Sequence, residues 1–199
     1  MGSPEDEEGR FDDETLHQVT LSQAFWMADT ACTQALWQAV MGNNPARFKN
    51  NLQNPVERVS WEDAQGFIQE LKQQIAGLSL RLPTEAEWEY ACRAGTSTPF
   101  YFGKTIRDTQ VNFNKALGKT APIKSYPPNA WGLYEMHGNV WEWCKDGSPQ
   151  MVSRLFTGFH RVLRGGSWHN FDKVVRSAVR RNSKLTNRHY NIGFRLAID

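Results

Sequence analysis

The sequence has three helices with clear start and stop signals, all within the first 95 residues. The apolar spacing predicts helices over about 33–42, 60–77 and 84–95. Ser60 supplies an N-cap hydroxyl with Asp63 in the first turn, and Thr84 forms a capping box with Glu87 three residues on. No comparable signal follows residue 96. A chain with this order cannot build alternating βα units over its whole length.

The rest of the chain is typical of short strands joined by long loops. Residues 16–27, 161–168 and 191–198 are rich in the residue types that favour strands, and Gly, Pro and Asn are frequent from residue 96 onward. The order of a few strands, then helices, then an irregular β region predicts an α+β fold. The chain holds eleven Phe, eight Trp and five Tyr in 199 residues, so much aromatic area must be buried. We therefore expect one packed domain over 1–199.

The net charge of +2 hides an uneven distribution. Residues 161–199 hold nine Lys or Arg against two Asp, a net of +7, whereas residues 1–160 carry a net of −5. Within the acidic part, residues 4–14 hold seven acids in eleven positions, which predicts a solvated loop. The basic tail raises the question of an acidic or polyanionic partner.

Simple motifs exclude several kinds of site. The three cysteines form no CxxC pair, and HExxH, GxSxG, P-loop and GxGxxG patterns are absent. No run of about eighteen apolar residues predicts a membrane span. The first residues show neither a basic nor an apolar signal region, which favours a cytoplasmic location. We expect no cofactor or structural metal, and a monomer.

Five phrases occur in a diagnostic order: FWMADTACTQALWQAVMGNNPARF, NPVERVSWEDAQGFIQEL, LRLPTEAEWEYACRAGT, NAWGLYEMHGNVWEW and RVLRGGSW…GFRLA. Together they closely resemble the formylglycine-generating-enzyme-like (sulfatase-modifying-factor) domains, over residues 15–198. The resemblance implies a C-type-lectin-like fold of the formylglycine-generating-enzyme subtype, an α+β domain with much irregular structure. It also places Asn139, Val140 and Glu142 where some relatives hold calcium, although too few acids converge there to predict a metal site.

The resemblance also implies where catalytic residues would lie. The oxidases of this family carry two reactive cysteines after a GGS-aromatic motif, and these positions in this chain are Asn170 and Val175. Neither side chain can form a thiolate. Other enzymatic relatives use histidine clusters, but His137 and His160 are isolated in this sequence. We therefore expect no catalytic residue and no enzyme. A formylglycine-generating-type oxidase that uses unrecognised residues remains the alternative.

The C-terminal part carries a second resemblance. RVLRGGSW, RSA and NIGFRLA with arbitrary intervening residues resemble the variable proteins of diversity-generating retroelements, in which adenines of a copied segment are randomised. AAC or AAT codons randomised at their first two bases cannot encode Glu, Gln, Met, Trp or Lys. The first four types number 36 in the chain, so an even spread would place about five or six in residues 169–199. None occurs there, although Lys173 and Lys184 depart from the pattern.

This resemblance predicts a variable region at about 164–195 with two kinds of position. The fixed frame comprises Arg164, Arg176, Ser177, Ala178, Arg180, Ile192, Gly193, Phe194 and Arg195, whose arginines would brace loops through forked hydrogen bonds. The replaceable, ligand-binding positions, all of which are reachable from an Asn codon, are His169, Asn170, Phe171, Asp172, Val174, Val179, Arg181, Asn182, Ser183, Leu185, His189, Tyr190 and Asn191.

The leading hypothesis is a non-catalytic ligand-binding protein whose partner is a protein or a cell-surface molecule. Aromatic and small polar side chains suit such recognition. Nucleic acid is disfavoured, because an arginine frame would spend much of the positive charge internally. Arg181, Lys184 and Arg188 are expected to be exposed and available to acidic ligands. An inert adhesion or assembly module is not distinguished from this hypothesis by sequence.

Overall fold

The computed structural model describes residues 1–75, 77–147 and 160–199. Its three helices are α1 (Gln34–Met41), α2 (Trp61–Gln74) and α3 (Glu85–Arg93), and a short 3-10 turn covers Asp172–Val174. The strands are β1 (Trp26–Met27), β2 (Leu80–Arg81), β3 (Trp141–Gly147), β4 (His160–Arg164), β5 (Arg180–Lys184), β6 (Ile192–Gly193) and β7 (Ala197–Ile198). The predicted α+β content is confirmed.

The helix starts follow from their caps. The Thr33 hydroxyl accepts the Leu36 amide, and both capping boxes, Ser60 with Asp63 and Thr84 with Glu87, are formed. Helix α1 ends at Gly42, whose φ of 72° is left-handed. Helix α2 ends at Gln74, earlier than the predicted stop at Gly77. All three predicted helices are confirmed to within a turn.

The strands form two sheets. A three-stranded antiparallel sheet has the order β1-β7-β2, with the C-terminal strand in its centre. A four-stranded sheet has the order β5-β4-β3-β6, in which β3 and β6 run parallel and the other pairs are antiparallel. Strand β5 therefore lies at an edge of the second sheet. The segment between β4 and β6, residues 165–191, is called the C-terminal excursion and contains β5.

Three strand predictions are wrong in extent. Of 16–27, only Trp26–Met27 is paired as a strand. The predicted strand 161–168 ends at Arg164, because Gly165 and Gly166 adopt left-handed φ values of 90° and 71°. The predicted strand 191–198 is divided between the two sheets. Its middle residues instead bond to the segment before α1, where the Cys32 and Ala28 amides donate to the carbonyls of Phe194 and Leu196.

Two apolar clusters hold the sheets and helices together. One joins α1 and α2 to the sheets, with Trp37 stacked on Phe67 at a centroid distance of 5.3 Å. The other surrounds the fully buried Trp88 of α3 and includes Met136 and Cys144. Within the ranges that the structure describes, no helix is both long and apolar enough to cross a bilayer.

Candidate ligand-binding surface

Buried arginines hold the C-terminal excursion in place. Arg164 is fully buried, donates to the carbonyls of Ala178 and Val179 at 2.7 and 2.6 Å, and pairs with Glu89. Arg195 is also fully buried and binds Glu142 through two hydrogen bonds of 2.7 and 2.8 Å. Each guanidinium thus satisfies carbonyls of irregular backbone and a buried acid at once. The predicted bracing role of these arginines is confirmed.

Arg176 joins the two ends of the chain. It donates to Glu14 at 2.6 and 2.8 Å, to Glu7 and to the Gly9 carbonyl. The prediction of a solvated loop over 4–14 is therefore wrong at Glu14, which is buried, because its carboxylate neutralises a buried guanidinium. Acids of the N-terminal segment thus neutralise a buried arginine of the basic tail.

Most of the predicted basic tail is neutralised in this way. Among the residues that the structure describes, acids from the first 147 positions pair with Arg164, Arg176, Arg180, Arg188 and Arg195 of this tail. The expectation that Arg188 is available to a ligand is wrong, because it binds Asp63 through two hydrogen bonds of 2.6 and 2.7 Å. Arg181 and Lys184 are exposed as expected.

An aromatic cluster forms the surface on this frame. Trp168 lies 5.7 Å from Tyr190 and 5.4 Å from His169 between ring centroids, and His189 lies 4.2 Å from Tyr190. Phe48, from the loop after α1, completes the cluster with edge contacts to Trp168 at 5.6 Å and to Tyr190 at 6.4 Å. The residues 168–169 and 189–190 are thereby brought together from opposite ends of the excursion.

A chain of polar contacts runs beneath these rings. The His189 imidazole donates to Asn191 Oδ1 at 2.5 Å, and the Asn191 amide donates to the Ser167 hydroxyl at 2.8 Å. That hydroxyl donates to Asn170 Oδ1 at 2.7 Å. Because Ser167 and Asn191 are buried, these hydrogen bonds fix the positions of the half-buried Asn170 and the exposed His189.

The structure divides the thirteen predicted ligand-binding positions into three groups. Phe171, Asp172, Arg181 and His189 are exposed, Phe171 by 60%. Partly buried positions are His169, Asn170, Val174, Asn182, Leu185 and Tyr190. The buried positions are Val179, Ser183 and Asn191. These three side chains make contacts inside the protein: Val179 packs in the core, Ser183 accepts the side-chain amide of Asn187, and Asn191 supports the surface from below.

Two surface residues were missed because no local pattern connects them to the C-terminal excursion. The Arg47 guanidinium lies 5.0 Å from the Tyr190 ring centroid and 5.4 Å from that of Phe48. Both residues are held by the buried Glu57, whose Oε1 accepts their backbone amides at 2.5 and 2.8 Å. Burial raises the pKa of that carboxyl, and the two amide bonds oppose the shift. The only signal in the sequence was the NPARF phrase.

The two positions aligned with the oxidase cysteines have structural roles. Asn170 accepts the Ser167 hydroxyl, and Val175 is fully buried against Gly166, where an added Cβ would meet Val175 Cγ1 at 2.4 Å. Cys32, Cys92 and Cys144 are all buried and unpaired. Burial raises the pKa of the Cys92 thiol to about 12, so this group is held as a thiol.

Cys92 lies beside His137, but the pair is poorly suited to proton transfer. The His137 Nδ1–H donates to the Val175 carbonyl at 2.7 Å, and Nε2 accepts the Tyr101 amide at 3.2 Å. Burial lowers the pKa of His137 to about 3, so the imidazole is neutral. Both ring nitrogens are occupied by backbone groups, so His137 is a buried, packed side chain.

The region compared with calcium-binding relatives is also occupied by protein contacts. Asn139 Oδ1 accepts the Ala121 amide and the Asn112 side chain at 2.9 and 3.2 Å. Both Glu142 oxygens accept Arg195, and Oε2 also accepts the Trp88 indole. No group of three or more His, Cys, Asp or Glu side chains suited to a metal occurs among residues 1–75, 77–147 and 160–199.

The comparisons with known proteins agree with the sequence resemblances. The family model of the sulfatase-modifying factor enzyme 1-like domain matches residues 1–199. The formylglycine-generating enzyme of Streptomyces coelicolor is 38% identical over 173 residues, covering 73% of this chain and 53% of the enzyme. The chain spans a still smaller share, 24%, of the serine/threonine-protein kinase pkn1 of Chlamydia pneumoniae.

Two solved structures cover most of the fold. Variable protein 1 of Treponema denticola matches with a TM-score of 0.79 and 30% identity, over 87% of this chain and 84% of that one. PvdO from Pseudomonas aeruginosa matches with a TM-score of 0.86 and 29% identity, over 100% of this chain and 90% of that one. The expected C-type-lectin-like α+β fold is confirmed.

Proposed function

The chain belongs to the sulfatase-modifying factor enzyme 1-like family, and from this premise we propose that it is a non-catalytic ligand-binding member. Its C-terminal surface binds a protein or cell-surface molecule and is diversified by a retroelement of the kind noted in the sequence. The observation that carries the proposal is that residues 164–195 combine buried, paired arginines with exposed side chains at the replaceable positions.

The frame is rigid because its charges are buried and paired. Arg164, Arg176 and Arg195 are at most 2% exposed, and each binds both acids and backbone carbonyls. Between them, Phe171 and His189 extend toward solvent. Substitution at such positions changes stability by about 0.5 kcal/mol or less. A segment built this way can change its ligand contacts without losing its fold.

The composition of the segment agrees with diversification. The last Trp of the chain is Trp168, which is buried under the surface, and no Glu, Gln or Met follows it. Likeness to the Treponema denticola variable protein over most of both chains supports the same proposal. The exposed and half-buried members, with rings and amides, suit a protein epitope. Nucleic acid fits less well, because most tail arginines are already paired.

A display library tests the proposal with a matched control. The test library randomises the exposed residues Phe171, Asp172, Arg181 and His189 together, and the control library randomises the buried Val179, Ser183 and Asn191. We expect most test clones to be displayed in folded form and to yield binders against purified proteins, while most control clones fail to fold. Equal loss of folding in both libraries would contradict the proposal, as would a folded test library that yields no binder.

The family relationship supports a second candidate function, because the Streptomyces coelicolor relative is named as a formylglycine-generating enzyme. The protein would be incubated with a cysteine-containing sulfatase peptide and copper under oxygen, and the peptide analysed by mass spectrometry. With Asn170 and Val175 at the cysteine positions, we expect no formylglycine. Its formation above a heat-denatured control would establish the oxidase instead.

A further inference from the structure

Three exposed cations lie on separate scaffold loops that contact the aromatic cluster, Arg47 through its guanidinium and the other two through their backbone amides. Arg47 lies over the Tyr190 ring at 5.0 Å, the Arg58 amide donates to the His189 carbonyl at 3.0 Å, and the Lys115 amide donates to the Trp168 carbonyl at 2.7 Å. All three lie outside the proposed variable region 164–195. Whatever residues occupy the replaceable positions, these cations remain at the edge of the surface.

These three side chains differ from most arginines of the excursion in forming no direct ion pair in the described part of the chain, although Arg47 and Arg58 lie near enough to the buried Glu57 to favour its charged form. Across residues 1–75, 77–147 and 160–199, no ion pair involves Arg47, Arg58 or Lys115. The Arg47 guanidinium is nevertheless held in position by the two rings and by the buried Glu57 beneath its backbone. A positioned guanidinium with free N–H groups is suited to a carboxylate.

The acids near the surface balance only part of this charge. Glu57 is fully buried and accepts backbone amides, and its carboxylate interacts with both Arg47 and Arg58. Asp63 is bound to Arg188. Asp172 is exposed and accepts the Lys173 amide. The pKa of His169 is lowered, first by burial and then by the nearby charges of Lys115 and His189. This direction agrees with a positive potential at the cluster. A cationic ligand over these rings would be repelled, whereas an acidic one would be attracted.

We propose that the aromatic surface carries a constant anion subsite, formed by Arg47, Arg58 and Lys115, that binds an aspartate or glutamate side chain of a protein partner. This inference rests on the proposed ligand-binding function and names the chemistry of its partner. The replaceable residues select the shape of the epitope, while the scaffold cations require an acidic group within it.

The direct test uses a fluorescein-labelled peptide that alternates Glu, Asp, Tyr and Gly, and a matched peptide with Gln and Asn in place of the acids. Fluorescence polarisation is measured at low and at physiological salt. We expect the acidic peptide to bind at least about tenfold more tightly than the amide peptide. Substituting R47Q, R58Q and K115Q together is expected to remove this preference. The control K72Q, R107Q and K145Q removes the same charge from exposed positions of α2, a loop and β3.

Each outcome bears on the inference. Equal binding of the two peptides, or equal loss in the control variant, would overturn it. Binding of heparin that is tighter than that of the acidic peptide and sensitive to the same three substitutions would assign the subsite to sulfated glycans and overturn the protein assignment. If display libraries yield binders whose affinity is unchanged by R47Q, R58Q and K115Q, this inference alone fails. If the libraries yield no binder, the proposed function itself has failed.

Discussion

Replacing Arg195 by Met tests whether the buried arginine frame stabilises the fold. Arg195 is fully buried and holds both oxygens of the buried Glu142, with further bonds to the carbonyls of Ala28 and Tyr134 at 3.1 and 2.9 Å. The variant leaves a buried carboxylate whose remaining donor is the Trp88 indole. Breaking such a pair costs about 3–5 kcal/mol, and unsatisfied carbonyls add to this cost.

Arg188→Met is the matched control, because Arg188 also makes two hydrogen bonds to one carboxylate. Its side chain is 53% exposed, so we expect the control to cost no more than about 1 kcal/mol. Urea unfolding followed by tryptophan fluorescence measures both losses. At about 2–4 °C per kcal/mol for a chain of this size, Arg195→Met should lower Tm by roughly 6–20 °C. Adding Glu142→Gln should recover part of the loss. Equal losses of unfolding free energy in the two arginine variants would show that burial does not make the Arg195 pair more important to the fold than an exposed pair.

Three further predictions concern titration, backbone and surface. The folded-state pKa of His137, about 3, lies below its unfolded value, so protonation favours the unfolded chain and the folding stability contributed by the neutral imidazole is lost as pH falls from about 6.5 toward 3. The variant His137→Gln should flatten the slope of unfolding free energy against pH by up to about 1.4 kcal/mol per pH unit. An unchanged slope would contradict the assignment. Gly166→Ala should cost about 3 kcal/mol in urea unfolding, because its Cβ meets a buried side chain at 2.4 Å, whereas Gly132→Ala, with a similar φ of 79° and open space, should cost about 1 kcal/mol. Phe171→Ala should leave Tm within about 2 °C while Tyr190→Ala lowers it further, since only Tyr190 packs in the ring cluster; the reverse order in calorimetry would place Phe171 in the core.

Local signals account for the parts of the fold that the sequence predicted well. The caps at Thr33, Ser60 and Thr84 involve residues three positions apart, so their meaning does not depend on tertiary structure. The division of 191–198 between two sheets depends on partners far away in sequence. Its alternation of apolar residues could not reveal which strand each half would meet.

The surface shows the same limit. Tyr190 was predicted because it lies within one composition-biased segment, and the structure places it against Trp168, which lies just before that segment. Arg47 and Glu57 lie more than 100 residues before that segment in the sequence, and only the fold shows that they support the cluster. The burial of Val179 and Ser183 was equally hidden, because codon reachability carries no information about which side chains pack inward.

The diversification claim is tested most directly by sequencing the DNA around the codons for residues 164–195. If the segment is diversified by a retroelement, we expect a nearby near-copy of it, beside a reverse transcriptase gene, that differs from it only at adenines of the copy. Those differences should fall on codons for exposed or half-buried positions such as Phe171, His189 and Tyr190, and should spare those for Arg164, Arg176 and Arg195. A neighbourhood without such a copy, or differences that fall equally on the buried arginines, would contradict the account.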